Sequence, residues 1–266
     1  MTSVGVVGLG VIGRAVCRAL DTGLDGCALV GATARDQGRG EAFLKSLATR
    51  PPYLTLDDLI ACSDLLVEAS TQAHLAEWAP KALAAGKDLM ILSCGALLAH
   101  QEWVALARER GARILVPSGA IGGLDAVKAA RVGRVNSVTM ETRKPPAGLA
   151  GAPGVVARGT DLAALTEPTL IFEGPATEAV PAFPANVNVL AALSLAGIGP
   201  ARTTIRLYAV PGLTRNTHRI IVEGDAGRVS VEIENVPSEN PRTGRLSYLS
   251  AIAMLRDLHA TLRVGT

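Results

Sequence analysis

Aromatic residues make up only 3% of this 266-residue chain, and its formal charge is nearly balanced at +2. So few aromatic rings leave little for base stacking, and the lysines and arginines are scattered rather than blocked. Both features argue against a nucleic-acid surface. The four cysteines (Cys17, Cys27, Cys62 and Cys94) all fall in the first half and form no CxxC pair. That spacing argues against metal and disulfide frameworks and points to small buried residues in a reducing compartment. No apolar run reaches the ~18 residues of a membrane span, and no basic segment with an apolar stretch and cleavage site precedes the first strand. A cytoplasmic location is therefore expected.

What is present is aliphatic. Hydrophobic content is 48% and charged content 19%, enough for a full core built from Ala, Val, Leu and Ile. That composition suits a buried parallel sheet covered by helices. The chain opens with Val4-Gly5-Val6-Val7-Gly8-Leu9-Gly10-Val11-Ile12-Gly13, an apolar run breaking into Gly8-x-Gly10-x-x-Gly13. At this spacing the first glycine permits a tight turn out of a strand, and the second lets backbone approach a pyrophosphate. The third lets the following helix pack close to the strand. Backbone N–H groups and the helix dipole then attract phosphate. A dinucleotide site is expected here, with Gly8, Gly10, Val11, Ile12 and Gly13 as cofactor contacts.

The first ~120 residues alternate strand-like and helix-like segments without a long linker, as a doubly wound sheet requires. Strands are expected at Val4–Val7, Ala28–Ala32, Leu65–Ser70 and Leu89–Ser93, and Arg113–Pro117 is numbered as a sixth. Helices are expected at Arg14–Leu20, Arg39–Leu47, Leu56–Ala61, His74–Ala85 (closed by Gly86) and Gln101–Arg110. After Gly123 the strand-like pieces become amphipathic: Val135–Thr142, Thr203–Ala209, His218–Glu223 and Arg228–Glu234. The strict alternation of the last implies a sheet with one face exposed. Helices are expected at Leu124–Ala130, Thr177–Ala182, Val187–Ala196 and Tyr248–Arg263. The fold class is α/β: an N-terminal Rossmann-type doubly wound parallel sheet plus a smaller C-terminal α+β domain with an open sheet. The expected boundaries are 1–120 for dinucleotide binding, 121–245 for substrate, catalysis and dimerisation, and 246–266 for a terminal helix packing back on the first domain.

Ligands of open α/β sheets bind outside the carboxyl ends of the strands. Those ends are small or hydroxylated here: Gly8–Gly13, Thr33-Ala34-Arg35, Ala69-Ser70-Thr71, Ser93-Cys94-Gly95-Ala96 and Ser118-Gly119-Ala120. Thr33, Arg35, Ala69, Ser70, Ser93 and Gly95 are accordingly candidate cofactor residues. The acidic residue expected ~20 positions past the glycine motif, which binds the ribose 2′-hydroxyl of NAD, is missing. Thr33 stands there instead, followed by Arg35, so NADP is expected to be tolerated or preferred; Asp36 remains near enough to reach the ribose.

Among the four histidines, His100 and His259 read as helix-surface residues, and His74 falls near the cofactor groove. His218 sits at the entry to a second-domain strand, where a lone histidine is as a rule a structural residue. Ser118-Gly-Ala-Ile-Gly-Gly-Leu-Asp-Ala126 reads as a second close-approach loop. Thr142-Arg143-Lys144-Pro145-Pro146 ends a strand with two cations, which either bind a dicarboxylate or are simply solvated. Phe183-Pro-Ala-Asn186-Val-Asn188-Val places two amides at a helix start, where capping accounts for one. No metal site is expected.

Taken together, these segments resemble the L-aspartate dehydrogenase family. The matching pieces are Gly8–Gly13, Glu68-Ala-Ser70, Ser118–Ala126, Thr142–Pro145, Ile171-Phe-Glu-Gly174, Phe183–Val189, Asn216-Thr-His218 and Glu239–Thr243. They span essentially the whole chain. The resemblance implies NAD(P)-dependent oxidative deamination of L-aspartate to iminosuccinate, which hydrolyses to oxaloacetate and ammonia, or the reverse, in some organisms feeding NAD biosynthesis. It implies His218 as catalytic acid/base, Ala120 and Asn186 as cofactor contacts, and a homodimer. Ser118, Gly119, Arg143, Lys144 and Asn188 are the candidates for holding the substrate. Two alternatives stay open at this point: another two-domain NAD(P)H imine or semialdehyde reductase, and a non-catalytic dinucleotide sensor.

Overall fold

The computed structural model describes residues 1–184, 187–236 and 244–265. The chain divides into two compact units: Met1–Gly119 with Ser247–Arg263, and a second built within Ala120–Leu246.

The first unit is organised by five strands: β1 (Thr2–Val7), β2 (Cys27–Thr33), β3 (Leu65–Glu68), β4 (Asp88–Ile91) and β5 (Ile114–Leu115). They form one sheet in the order β2-β1-β3-β4-β5, parallel throughout. The order reverses between β1 and β3, so both crossovers leave from the centre and open a crevice at the carboxyl ends. Among the described residues this sheet has five strands, and the one numbered sixth from the sequence is its fifth, shrunk to two residues at the edge. β3 is buried at every position, as a strand covered by helices on both faces must be. Val4, Val6, Val16, Leu20, Leu44, Leu65, Val67 and Met90 form the core, joined by Ala251 and Leu255 of the helix Arg245–Asp257. That helix ends earlier than its apolar pattern indicates. Beyond it the His259 ring packs over Gly26 and its Nε2 lies 2.8 Å from the Thr2 hydroxyl.

The helix expected from Arg39 starts instead at Gln37, because the Asp36 carboxylate accepts the Arg39 N–H at 3.0 Å and caps it. Thr55 and Thr71 cap the helices Leu56–Cys62 and Gln72–Ala84 in the same way. Gly86, at φ +73, takes the left-handed position that ends the latter. None of the four cysteines is in a disulfide; Cys17, Cys27 and Cys94 are buried, whereas Cys62 is exposed, against the expectation of four buried residues. Burial, assisted by the charge of Asp21, pushes the Cys17 thiol up to about 12, so it is inert at neutral pH. Among the described residues, no helix is long and apolar enough to cross a membrane.

The second unit carries β6 (Val135–Lys144), β7 (Thr169–Pro175), β8 (Thr203–Ala209), β9 (Thr217–Gly224) and β10 (Gly227–Glu234). Their order is β10-β9-β6-β8-β7, an open sheet with two edges. Only β6 and β8 run parallel; the other neighbours are antiparallel. Alternation sorts its side chains. Val138, Met140, Ile205, Leu207, Ile220 and Val222 are buried on the face that meets the helices, while Arg143, Glu173 and Glu223 stand on the other. β7 escaped the sequence pattern because a bulge between Leu170 and Phe172 buries Ile171 and Phe172 in succession.

Candidate active site

The glycine turn has the geometry its spacing implies. Gly8 adopts φ +100, and a side chain there would meet the Ala69 carbonyl oxygen at 2.5 Å. One at Gly13 would be driven into the Gly8 carbonyl, so that glycine lets the helix Val11–Asp21 pack on the turn. Gly10 has nothing within 4 Å of a would-be Cβ, leaving open space where a pyrophosphate needs it. Gly10 also caps that helix with no side-chain hydrogen bond, so the first-turn N–H groups keep their donor capacity. These residues fit the phosphate half of a dinucleotide.

A groove of about 940 Å³ runs from this turn, lined by Gly8, Gly10, Val11, Thr33, Arg35, Ala69 and Ser70 among others. Ile12 and Gly13 do not line it: Ile12 packs against the core, and Gly13 shapes the turn from beneath. Ser93 and Gly95 lie outside the lining as well. Ser93 has a different task, set by a buried carboxylate at the end of β3. Glu68, at the end of β3, is 0% exposed. Its Oε1 accepts from the Ser70 N–H at 2.7 Å, the Ser70 hydroxyl at 2.9 Å and the Ser93 hydroxyl at 3.0 Å. Its Oε2 accepts from the Ser93 N–H at 2.8 Å. A buried carboxylate needs such partners, and here they tie the loops after β3 and β4 together under the groove.

At the ribose end, the Tyr53 hydroxyl donates to the Ala34 carbonyl at 2.6 Å and receives the Ala34 N–H at 3.3 Å, fixing the loop after β2. Arg14, Arg39, His74 and Glu77 also line the groove. Arg14 is committed: its Nε donates to the Leu9 carbonyl and its guanidinium lies 4.9 Å from the Phe43 ring centre. His74 Nδ1 sits 3.2 Å from Glu77. His100 stacks on Trp103 at 4.5 Å and, like His259, is structural.

The chemistry-bearing residues of the second unit meet through strand register. His218 on β9 pairs with Thr142 on β6, so both side chains share one face, and alternation puts Lys144 on that face too. The Thr142 hydroxyl lies 3.0 Å from His218 Nδ1. With the proton on Nδ1 donated to that hydroxyl, Nε2 keeps its lone pair. His218 is 5% exposed, and burial, with the Lys144 charge adding to it, lowers its pKa to about 4, so the ring is neutral at pH 7. Lys144 is 7% exposed with no ion-pair partner among the described residues, and burial lowers its pKa also. Arg143 does not join it. Alternation turns that side chain to the opposite face, where its guanidinium lies 5.4 Å from the Tyr208 ring centre, so the two cations are no clamp.

The Gly119 N–H is not free for a substrate carboxylate, because it donates to the Ser250 hydroxyl at 3.0 Å. Ser118 beside it is half-buried. The Ala120 carbonyl accepts from the buried Asn235 amide at 3.1 Å. Gly123, at φ +74, makes its close approach to Val231 of β10, so at this point the chain packs on the sheet of its own unit. Asn188 is exposed in the first turn of the helix Val187–Ala196. Asn186 lies outside the described residues.

A parallel sheet with this phosphate turn and groove, joined in one chain to a mixed sheet presenting a buried neutral histidine, defines a dinucleotide-dependent dehydrogenase. Residues 125–258 match the family described as aspartate dehydrogenase, C-terminal, and residues 8–117 match the homoserine dehydrogenase NAD binding domain. The L-aspartate dehydrogenase of Bradyrhizobium diazoefficiens is 48% identical, over 99% of this chain and 94% of that one. That of Methanosarcina acetivorans is 44% identical over the whole of both. Among solved structures, aspartate dehydrogenase from Thermotoga maritima covers both chains fully, with a TM-score of 0.76 at 24% identity. The chain belongs to the L-aspartate dehydrogenase family.

Proposed function

We propose that this protein oxidises L-aspartate to iminosuccinate with NAD or NADP, the imine then hydrolysing to oxaloacetate and ammonia, and that it runs the reverse with a reduced cofactor. The observation that carries the proposal is the His218–Thr142–Lys144 cluster, a neutral base beside an uncompensated cation on one sheet face. When bound, the nicotinamide accepts hydride at C4. Gly8, Gly10 and the first-turn N–H groups of the helix Val11–Asp21 hold the pyrophosphate, while Thr33, Ala69 and Ser70 lie along the remainder. Ala120 and Asn186 are assigned as further cofactor contacts by family resemblance.

Oxidation of the amine requires a proton to leave nitrogen as hydride leaves Cα. His218 Nε2 takes that proton, or activates the water that attacks the imine, and the Thr142 hydroxyl holds the ring in the required tautomer. Lys144 meets one carboxylate of the substrate, since a buried ammonium gains most from an anion that the ligand brings. An imine or semialdehyde reductase acting on an uncharged substrate would have less use for that cation. The family resemblance implies a homodimer, and we extend that assembly to this chain.

Replacing His218 by Ala should lower kcat/KM for L-aspartate by ~10²–10⁴-fold, the usual worth of a positioned acid–base group. Dinucleotide affinity should stay within twofold. A loss of threefold or less in kcat/KM would remove His218 from the chemistry.

A further inference from the structure

We infer that Arg35 and Arg39 form a phosphate clamp that selects NADP over NAD by gripping the 2′-phosphate of the adenosine ribose. Both side chains line the groove beside Thr33, at the end of β2 where the ribose hydroxyls must lie. Both are exposed, and neither has a hydrogen-bond or ion-pair partner among the described residues. Arg14, the third guanidinium of the groove, differs in being held by Leu9 and Phe43. Two free planar forks four residues apart, at a helix start, are suited to a phosphate monoester, which accepts bidentate hydrogen bonds from guanidinium.

The acids nearby do not cancel them. Asp36 is committed to the helix cap through the Arg39 N–H, and Glu77 lies against His74, so two arginines face one capping carboxylate at this end. NAD-selective sites use a carboxylate that accepts from the ribose 2′-hydroxyl and repels a phosphate there. Thr33 occupies that position and repels nothing. The Tyr53 hydroxyl pins the loop at Ala34 beside Arg35, and the Asp36 cap fixes the helix start that carries Arg39, so both backbones are in place before the ligand arrives.

The clamp acts whatever the substrate, so only the kinetic arm of its test rests on the aspartate function proposed above. By calorimetry on the full chain, adenosine 2′,5′-bisphosphate should bind at least tenfold tighter than 5′-AMP, and a smaller ratio overturns the clamp. In the Arg35→Ala/Arg39→Ala variant the bisphosphate should lose at least tenfold while 5′-AMP stays within twofold. A smaller or equal loss for both ligands also overturns it. With L-aspartate, kcat/KM for NADP should exceed that for NAD at least tenfold in the wild type, and the ratio should collapse towards one in the variant. If the bisphosphate is discriminated but aspartate is not turned over with either cofactor, the substrate assignment falls and the clamp stands.

Discussion

The two units encode their sites in different currencies. The first builds its phosphate turn from backbone, and backbone requirements appear in sequence as glycine at fixed intervals. Gly8, Gly10 and Gly13 each answer a distinct steric demand within six residues of chain. The second unit builds its site from side chains that meet only because β6 and β9 pair in one register. Thr142 and His218 are far apart in sequence yet 3.0 Å apart in space. A site of the first kind is legible locally; one of the second kind is legible only once strand pairing is known.

The sharpest way to break that contrast is to add one methyl group at two glycines of the same motif. Gly13→Ala drives a Cβ into the Gly8 carbonyl, a backbone atom that cannot swing aside. Dinucleotide binding should fall by ~100-fold or more, and the unfolding midpoint should drop with it. Gly10→Ala meets no protein atom within 4 Å and sits at φ −76, which any residue adopts. It should leave stability unchanged and weaken the dinucleotide roughly tenfold, because the methyl occupies space reserved for the ligand. Parallel thermal melts and cofactor titrations read both. Equal behaviour of the two variants would mean that the glycines do not divide labour between fold and ligand.

Most of the first unit was readable because buried parallel strands and capped helices carry strong local signals. Where a residue's role depends on distant partners, the sequence carries no such signal. Ser70 and Ser93 look like small strand-end residues in sequence, but their shared partner is Glu68, reached across the β3–β4 pair. Arg39 sits on a helix face whose orientation follows from the Asp36 cap. In the second unit, Arg143 and Lys144 are adjacent in sequence and read as a pair. The pleat separates them onto opposite faces, and only pairing with β9 shows which one His218 sees. The strand Thr169–Pro175 stayed hidden because its bulge destroys the period of two.

Glu68 permits a test of intermediate size. Glu68→Gln substitutes an amide that faces the Ser70 and Ser93 donors with an N–H₂ group, losing charge-assisted acceptors inside a buried site. The cost should be about 3 kcal/mol, lowering the melting midpoint by roughly 10 °C. Both tryptophans, Trp78 and Trp103, lie buried in the first unit, so their fluorescence follows that unit directly. Dinucleotide affinity should weaken too, since Ala69 and Ser70 form part of the groove floor. An unchanged midpoint would show that the loops hold their places without the carboxylate.

The smallest effect probes the second unit's electrostatics. Burial and the Lys144 charge both favour neutral imidazole at His218, whose pKa is lowered to about 4 from the ordinary 6.5. The active form of a base is the neutral one, so kcat/KM should stay flat as pH falls from 7.5 to 6. It should decline only near the lowered value, because the profile of kcat/KM follows the free enzyme. Lys144→Met removes a positive charge while keeping the apolar stem. Imidazolium becomes less unfavourable, its pKa rises, and the acid limb must move to higher pH. The shift should be under one pH unit, since burial is the larger cause and Met preserves it. The same variant should raise KM for L-aspartate by roughly 10–100-fold through loss of the carboxylate's partner. A raised KM with an unmoved limb would place Lys144 on the substrate but electrically apart from His218. A moved limb with an unchanged KM would make it a positioning charge that never touches the carboxylate.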